Sequence, residues 1–201
     1  GNVFKELKQN DDAVQSYKNA LIIKPDYIEA QYSLGTILQD LGNIEEAIKC
    51  FEAVLIIMPN FADALNNLGT SYIELRKFND AVSCFKSLLK IKPDSVEALN
   101  NLGIALFKLN QFDDAIQSYD RAISFKPDFA DSYNNKGIVL LDLGQFESAI
   151  NSYKSALKIN PVFFEAINNL GIAFYKLDKF DDAIECYKKA ISLKPNFVDA
   201  Y

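Results

Sequence analysis

Proline occurs six times in this 201-residue chain, at Pro25, Pro59, Pro93, Pro127, Pro161 and Pro195, each 34 residues after the last. A period of this length marks an array of stacked units, because a unit too small to enclose a core buries its apolar face against its neighbours. Apolar residues make up 49% of the chain and charged residues 24%. That supplies a continuous core and lies outside the composition of disordered segments. Function in such an array is expected on a surface rather than in an enclosed pocket.

Composition narrows the classes of function. The net charge of −6 opposes a phosphate backbone, and Lys and Arg gather into no basic stripe, so no nucleic-acid partner is expected. No apolar run approaches the roughly 20 residues that span a bilayer, and no charged-then-apolar leader opens the chain, so a soluble protein without a membrane partner is expected. The chain starts at Gly1 in mid-repeat and reads as a piece of something longer. Histidine is absent, which removes the usual general base and metal ligand. No catalytic residue, metal or cofactor is expected. Cys50, Cys84 and Cys186 share one position of the repeat and form no CxxC pair. Equivalent positions in stacked helix pairs lie on the order of 10 Å or more apart, beyond the ~7 Å limit for a disulfide. Free thiols are expected, which fits a reducing, cytoplasmic compartment.

The stretch from Ala98 to Pro127, ALNNLGIALFKLNQFDDAIQSYDRAISFKP, shows the unit. Leu99, Leu102, Gly103, Leu106 and Leu109 recur at helical spacing, and Ala115, Ile116, Tyr119, Ala122 and Ile123 do so again. Asn110 and Gln111 make a short turn between two helices, and Asp113 and Asp114 suit the start of the second. Lys126 and Pro127 end it, and Asp128 is placed to cap the helix that follows. Glycine inside a helix costs about 1 kcal/mol relative to alanine, yet Gly35, Gly69, Gly103, Gly137 and Gly171 stand in mid-pattern. Twelve residues after each comes Ala47, Ala81, Ala115, Ala149 or Ala183, with Ala13 answering Gly1. The glycine is read as a packing device in which small residues on both helices permit close approach. Tyr17, Phe51, Phe85, Tyr119, Tyr153 and Tyr187 fill the next layer.

This unit resembles the tetratricopeptide repeat (TPR). With Gly35 at frame position 8, the family's small and large pattern falls on Leu34, Gly35, Leu38, Ala47, Phe51 and Pro59, and then on Leu68, Gly69, Tyr72, Ala81, Phe85 and Pro93. The resemblance implies an all-α fold, a right-handed α-α superhelix of helix-turn-helix hairpins. One array is expected over 1–201: a partial repeat at 1–27, full repeats at 28–61, 62–95, 96–129, 130–163 and 164–197, and a stub at 198–201. Three positions depart from the pattern. Lys136 replaces a leucine, its stem expected over apolar surface with the amine in solvent. Val162 replaces the Asp or Asn after proline. Asn10 stands where Ile44, Phe78, Phe112, Phe146 and Phe180 pack, which suggests a looser first unit.

In TPR arrays the first helices line a concave face. Three layers remain there once core positions are removed. Glu29, Asp63, Glu97, Asp131, Glu165 and Asp199 form an acidic row that compensates helix dipoles and favours basic over acidic ligands. Asn66 and Asn67, Asn100 and Asn101, Asn134 and Asn135, and Asn168 and Asn169 form amide pairs. One amide of each pair is expected to face the groove, where donor and acceptor together can hold an extended main chain. The pattern resembles the asparagine ladder in the TPR arm of O-linked N-acetylglucosamine transferases. Bonding between neighbouring repeats is the alternative. In the third layer, Thr36 with Gln39 and Thr70 with Ile73 give way to Ile104 with Phe107, Ile138 with Leu141, and Ile172 with Tyr175. These pairs either expose an apolar binding patch or are partly buried against the next repeat.

The carboxylate clamp of chaperone-binding TPR domains does not map. Its lysine position holds Tyr32, Asn66, Asn100, Asn134 and Asn168, so acidic chaperone tails are disfavoured. The function expected is a non-catalytic protein-interaction scaffold that holds an extended, apolar or basic peptide in the groove. The alternative is the substrate-recruiting arm of a larger enzyme such as a glycosyltransferase. Both ends cut through a first helix, so head-to-tail self-association through uncapped ends is also expected.

Overall fold

The computed structural model describes residues 2–194, with side chains described from Asp11 to Lys194; Asp199, the stub at 198–201 and the two chain ends expected to self-associate lie outside them. The described residues form eleven helices and no strand, in two compact units, Gly1–Pro93 and Asp94–Tyr201. The first unit holds α1 (Asn2–Ile23), α2 (Ile28–Asp40), α3 (Ile44–Ile57), α4 (Ala62–Glu74) and α5 (Phe78–Ile91). The second holds α6 (Val96–Lys108), α7 (Phe112–Phe125), α8 (Ala130–Asp142), α9 (Phe146–Ile159), α10 (Phe164–Lys176) and α11 (Phe180–Leu193). Within each unit every helix packs on the next, and alternate first helices touch: α2 with α4, α6 with α8, and α8 with α10.

Each hairpin turn is set by one residue in the left-handed region. Gly42, Arg76, Asn110, Gly144 and Asp178 all have φ between 58° and 78°. At the first of these turns the Asn43 N–H reaches back to the Leu38 carbonyl at 2.8 Å and the Gly42 N–H to Gln39 at 2.9 Å. This paired closure satisfies the last carbonyls of α2 and redirects the chain within three residues. The same long bond recurs from Lys77 to Tyr72, Gln111 to Leu106, Gln145 to Leu140 and Lys179 to Phe174. In α1 the helix instead runs unbroken through Lys8, the position the frame aligns with these turns. Elsewhere a large apolar residue two positions on rewards the reversal by returning to the hairpin. In the sequence Asn10 holds the corresponding place, and its side chain lies outside the described ones.

The prolines act one step earlier than Asp128 suggested. The Phe129 N–H bonds to the Lys126 carbonyl at 3.1 Å, which makes Lys126, Pro127, Asp128 and Phe129 a reverse turn with proline second, where its fixed φ fits. Asp128 is thus the third turn residue, and the N-cap of α8 is Phe129, whose side chain makes no capping bond. Tyr27, Phe61 and Phe163 hold the same place without a cap bond; Ser95 alone of these five provides one, to the Ala98 N–H at 3.4 Å.

The mid-helix glycines meet aromatic rings rather than the alanines. A β-carbon at Gly35, Gly69, Gly103, Gly137 or Gly171 would lie 2.5 to 2.7 Å from a ring carbon of Phe51, Phe85, Tyr119, Tyr153 or Tyr187 respectively. Ala47, Ala81, Ala115 and Ala149 are fully buried, so small residues do line the contact. What the glycine admits is the ring, sixteen residues on. These rings are the centre of each hairpin's core, with Phe51, Phe85, Tyr119 and Tyr153 essentially inaccessible.

Two hydroxyls in this core have no partner. Tyr153 Oη and Ser71 Oγ are buried without a hydrogen bond. Two of the frame equivalents of Tyr153 lack the hydroxyl, Phe51 and Phe85, while Tyr17, Tyr119 and Tyr187 keep it; those of Ser71 are apolar, among them Ala105, Val139 and Ala173. An unsatisfied buried hydroxyl costs about 1–3 kcal/mol, so Tyr153→Phe is expected to stabilise the protein by about 1 kcal/mol and to raise its urea midpoint. A lowered midpoint would show that the hydroxyl is bonded in solution.

Candidate functional site

The first helices carry the three layers, which differ in how far each is buried. Glu29, Asp63, Glu97, Asp131 and Glu165 stand in the first turns of α2, α4, α6, α8 and α10, where the helix dipole favours carboxylates. Asp63 pairs with Lys92 at 3.8 Å.

The amide pairs divide by burial. Asn100, Asn134 and Asn168 are buried, whereas Asn101, Asn135 and Asn169 are half-buried. The second amide of one repeat donates to the first amide of the repeat before it: Asn135 Nδ2 to Asn100 Oδ1 and Asn169 Nδ2 to Asn134 Oδ1, both 3.1 Å. Ser132 also donates to Asn100 Oδ1, at 3.1 Å. Asn168 Oδ1 is buried and accepts no bond. In the first unit, Asn67 Nδ2 donates to the Tyr32 hydroxyl at 3.2 Å, with Tyr32 in place of the first amide, and Asn66 is half-buried. The amides therefore tie repeats together, the alternative held open by the sequence. Asn135 and Asn169 are half-buried, and their bonds to the preceding repeat run through Nδ2, which leaves Oδ1 as the acceptor of each amide.

The third layer changes character between the units. Gln39 Nε2 spans from α2 to Thr70 Oγ1 on α4 at 3.0 Å, a polar rung between adjacent first helices. In the second unit the same offset pairs Phe107 with Ile138 and Leu141 with Ile172. All four are half-buried, and Ile138 and Leu141 pack against the core cluster around Leu140, Ala149, Tyr153 and Leu170. Phe107 lies against Phe112 with ring centres 6.0 Å apart, and Tyr175, 55% exposed, meets Phe180 edge-on at 5.7 Å. Ile104 is half-buried on the same face. The stripe is thus part core and part surface.

The remaining chemistry is muted. Cys50, Cys84 and Cys186 are free. Burial pushes their thiols up to about 11, 12 and 11, so they stay protonated at neutral pH and poor as nucleophiles. Among the described residues no three His, Cys, Asp or Glu gather as metal ligands, and no helix is long and apolar enough to cross a membrane. Lys136 departs from its expectation: its amine is not free in solvent but lies 2.6 Å from Asp120 Oδ1. A feature not singled out from the sequence is a groove of about 420 Å³ on the first unit, lined by Glu52, Leu55 and Ile56 of α3, Leu68 and Tyr72 of α4, and Asp80, Ser83 and Cys84 of α5.

Helix pairs of fixed length, a glycine opposed to an aromatic ring, and first helices laid side by side define a helical-hairpin repeat protein. Sequence profiles described as tetratricopeptide repeat match residues 26–94, 66–130, 118–151 and 164–197, and one described as TPR repeat matches 1–42 and 137–178. Crystal structures of MamA are similar: one is 30% identical, covering 81% of this chain and 95% of that chain with a TM-score of 0.73. TTC0263, a thermophilic TPR protein of Thermus thermophilus, is 24% identical over 86% of this chain and 94% of its own, with a TM-score of 0.71. YrrB, a TPR protein with an unusual peptide-binding site, is 19% identical over 93% of this chain and 96% of its own, with a TM-score of 0.70. Comparison with curated proteins found no match. The chain belongs to the tetratricopeptide repeat family, an all-α solenoid of the kind that serves as a protein-interaction scaffold.

Proposed function

We propose that the second unit is a non-catalytic scaffold that holds an extended segment of a protein partner against α6, α8 and α10. The observation that carries this reading is that Asn135 and Asn169 bond the preceding repeat through Nδ2, with Oδ1 accepting no bond among the described residues, beside a stripe of half-buried Ile104, Phe107, Ile138, Leu141 and Ile172 and exposed Tyr175 on the same helices. The free carbonyl oxygens accept main-chain N–H groups, which asks little of the ligand's sequence. The stripe takes its apolar side chains, and an edge of hydrogen-bonding groups beside an apolar track is how extended peptides gain both affinity and register. Asn101 continues the row on α6. In the first unit Asn66 and Asn67 sit beside the polar Gln39–Thr70 rung, so that unit suits a more polar segment. Glu97, Asp131 and Glu165 in the first turns favour a basic or neutral partner over an acidic one. YrrB offers a precedent for a peptide site on this fold.

A peptide array of extended sequences, probed with the wild-type protein and with the Phe107→Ala, Leu141→Ala double variant, tests this. Truncating two central apolar contacts is expected to weaken captured peptides by about 10- to 100-fold, with acidic peptides absent from the captured set. Unchanged capture by the double variant would remove the stripe from the site.

A further inference from the structure

The side chains between second helices that follow one another within a unit compare position by position along the frame. Between α1 and α3, Lys18 pairs with Glu46 at 3.7 Å. Between α7 and α9, Lys136 rises from α8 to Asp120 at 2.6 Å. Between α9 and α11, Lys154 lies over the Phe174 ring, 5.8 Å from its centre. In each of these three the chain supplies its own lysine.

The groove between α3 and α5 differs. In the frame, Glu52 takes the place of Lys18, Asp120 and Lys154, Asp80 takes that of Glu46, and Leu68 takes that of Lys136. Two carboxylates therefore line an apolar groove of about 420 Å³, and neither makes an ion pair among the described residues. Glu52 Oε1 accepts the Tyr72 hydroxyl at 2.7 Å, which fixes its carboxylate. Burial and this bond keep the Tyr72 hydroxyl protonated and donating. Lys77, 5.9 Å from the Tyr72 ring centre, pairs with neither acid. At the mouth, Ile56 is 82% exposed, where the next repeats carry Lys90, Ser124 and Lys158. Ile57 and Met58 extend the exposed apolar surface beside it.

We propose that this groove docks a lysine-bearing, otherwise aliphatic segment of a protein partner, its ammonium on Glu52 and Asp80 and its neighbouring side chains on Leu55 and Ile56. The commitment to lysine comes from the protein itself. Lys136 meets Asp120 from the position that Leu68 leaves without a charge, so the second unit contains the occupied form of the arrangement that stands open in the first. A long aliphatic stem with a terminal cation satisfies both the apolar walls and the two acids, which a bare cation or an uncharged apolar chain does not. This site lies in the first unit, on other residues than the stripe of α6, α8 and α10, and the two proposals stand or fall separately.

The probe is a fluorescein-labelled 12-residue peptide of leucine and lysine, followed by fluorescence anisotropy against the full chain at low salt, with a leucine and glutamate peptide as the comparison. The wild type is expected to bind the lysine peptide, and Glu52→Gln with Asp80→Asn to weaken it by about tenfold or more. Leu68→Lys, which restores the arrangement of Lys136, is expected to occupy the groove from within and to weaken the peptide by a similar factor, provided circular dichroism shows native helix content. Because Glu52→Gln and Asp80→Asn are near-isosteric changes at the groove's rim, they carry the test even where Leu68→Lys fails to fold. In the Phe107→Ala, Leu141→Ala background, which truncates the stripe of the second unit, the loss caused by Glu52→Gln with Asp80→Asn is expected to persist at about tenfold. Equal binding with and without Glu52→Gln and Asp80→Asn in the Phe107→Ala, Leu141→Ala background, or equal binding of the glutamate peptide in that background, would each overturn the proposal.

Discussion

Gly103→Ala is expected to destabilise the protein by about 2–3 kcal/mol in urea unfolding, the upper range for overpacking a core. Helix propensity alone predicts the opposite sign, since alanine is favoured over glycine in a helix interior by about 1 kcal/mol. Packing decides. A β-carbon at Gly103 lies 2.5 Å from Tyr119 Cε1 and 2.7 Å from Cζ, far inside van der Waals contact. Tyr119 is 1% exposed, so its ring cannot swing away without moving α7 from α6. The same change at Gly171 is a graded control: its ring, Tyr187, is half-buried and has room to shift, so the loss there is expected to fall to about 1 kcal/mol or less. Equal losses at the two sites would show that backbone entropy or strain, rather than the ring, sets the cost.

That contrast also marks how far the sequence could be read. The 34-residue spacing of Pro25 through Pro195 placed the ends of the second helices, and the alternation of apolar positions such as Leu99, Leu102 and Leu106 placed the first ones. Both signals are local and repeated, so they survive without tertiary information. Asp128 misled because Asp is favoured both in a turn and at an N-cap; which of two adjacent roles it takes depends on where the turn's hydrogen bond closes. The glycines were legible as packing devices, but their partner was not. Ala115 lies twelve residues from Gly103 and Tyr119 sixteen, and only the crossing of the two helices decides which of them meets the glycine.

The amides show a further limit. Nothing in Asn134–Asn135 as a dipeptide distinguishes a residue sealed against the next repeat from one at the surface, since the two differ by a rotation of about 100° on the helix. A bond at an offset of 35 residues is the signal that separates them, and it becomes visible once neighbouring first helices are set side by side. The groove between α3 and α5 was missed for a related reason. Glu52 and Asp80 are ordinary acids in sequence, and their meaning comes from comparison along the frame, Glu52 with Lys18, Asp120 and Lys154, and Asp80 with Glu46. In a repeat protein each unit is the natural control for the others.

Phe85→Ala is expected to carry a still larger loss, about 3–5 kcal/mol, because it empties the centre of a hairpin core that cannot collapse around two rigid helices. Phe85 is fully buried, and its ring fills the space left by Gly69. The sharper expectation concerns the pair. In the wild type, Gly69→Ala destabilises, since its β-carbon would lie 2.6 Å from Phe85 Cζ. With Phe85→Ala already in place the clash is gone, the new methyl enters the vacated volume, and the helix preference of about 1 kcal/mol for alanine becomes a net gain. Gly69→Ala should therefore change sign between the two backgrounds, with a coupling of roughly 3–4 kcal/mol across the double-mutant cycle, the overpacking loss of about 2–3 and the helix gain of about 1 taken together. Urea unfolding of the four proteins measures it. Additive losses would mean that glycine and ring are not partners, and that the repeat's small position serves the backbone instead. A sign reversal would fix the ring as the reason a helix-breaking residue recurs at the heart of every hairpin.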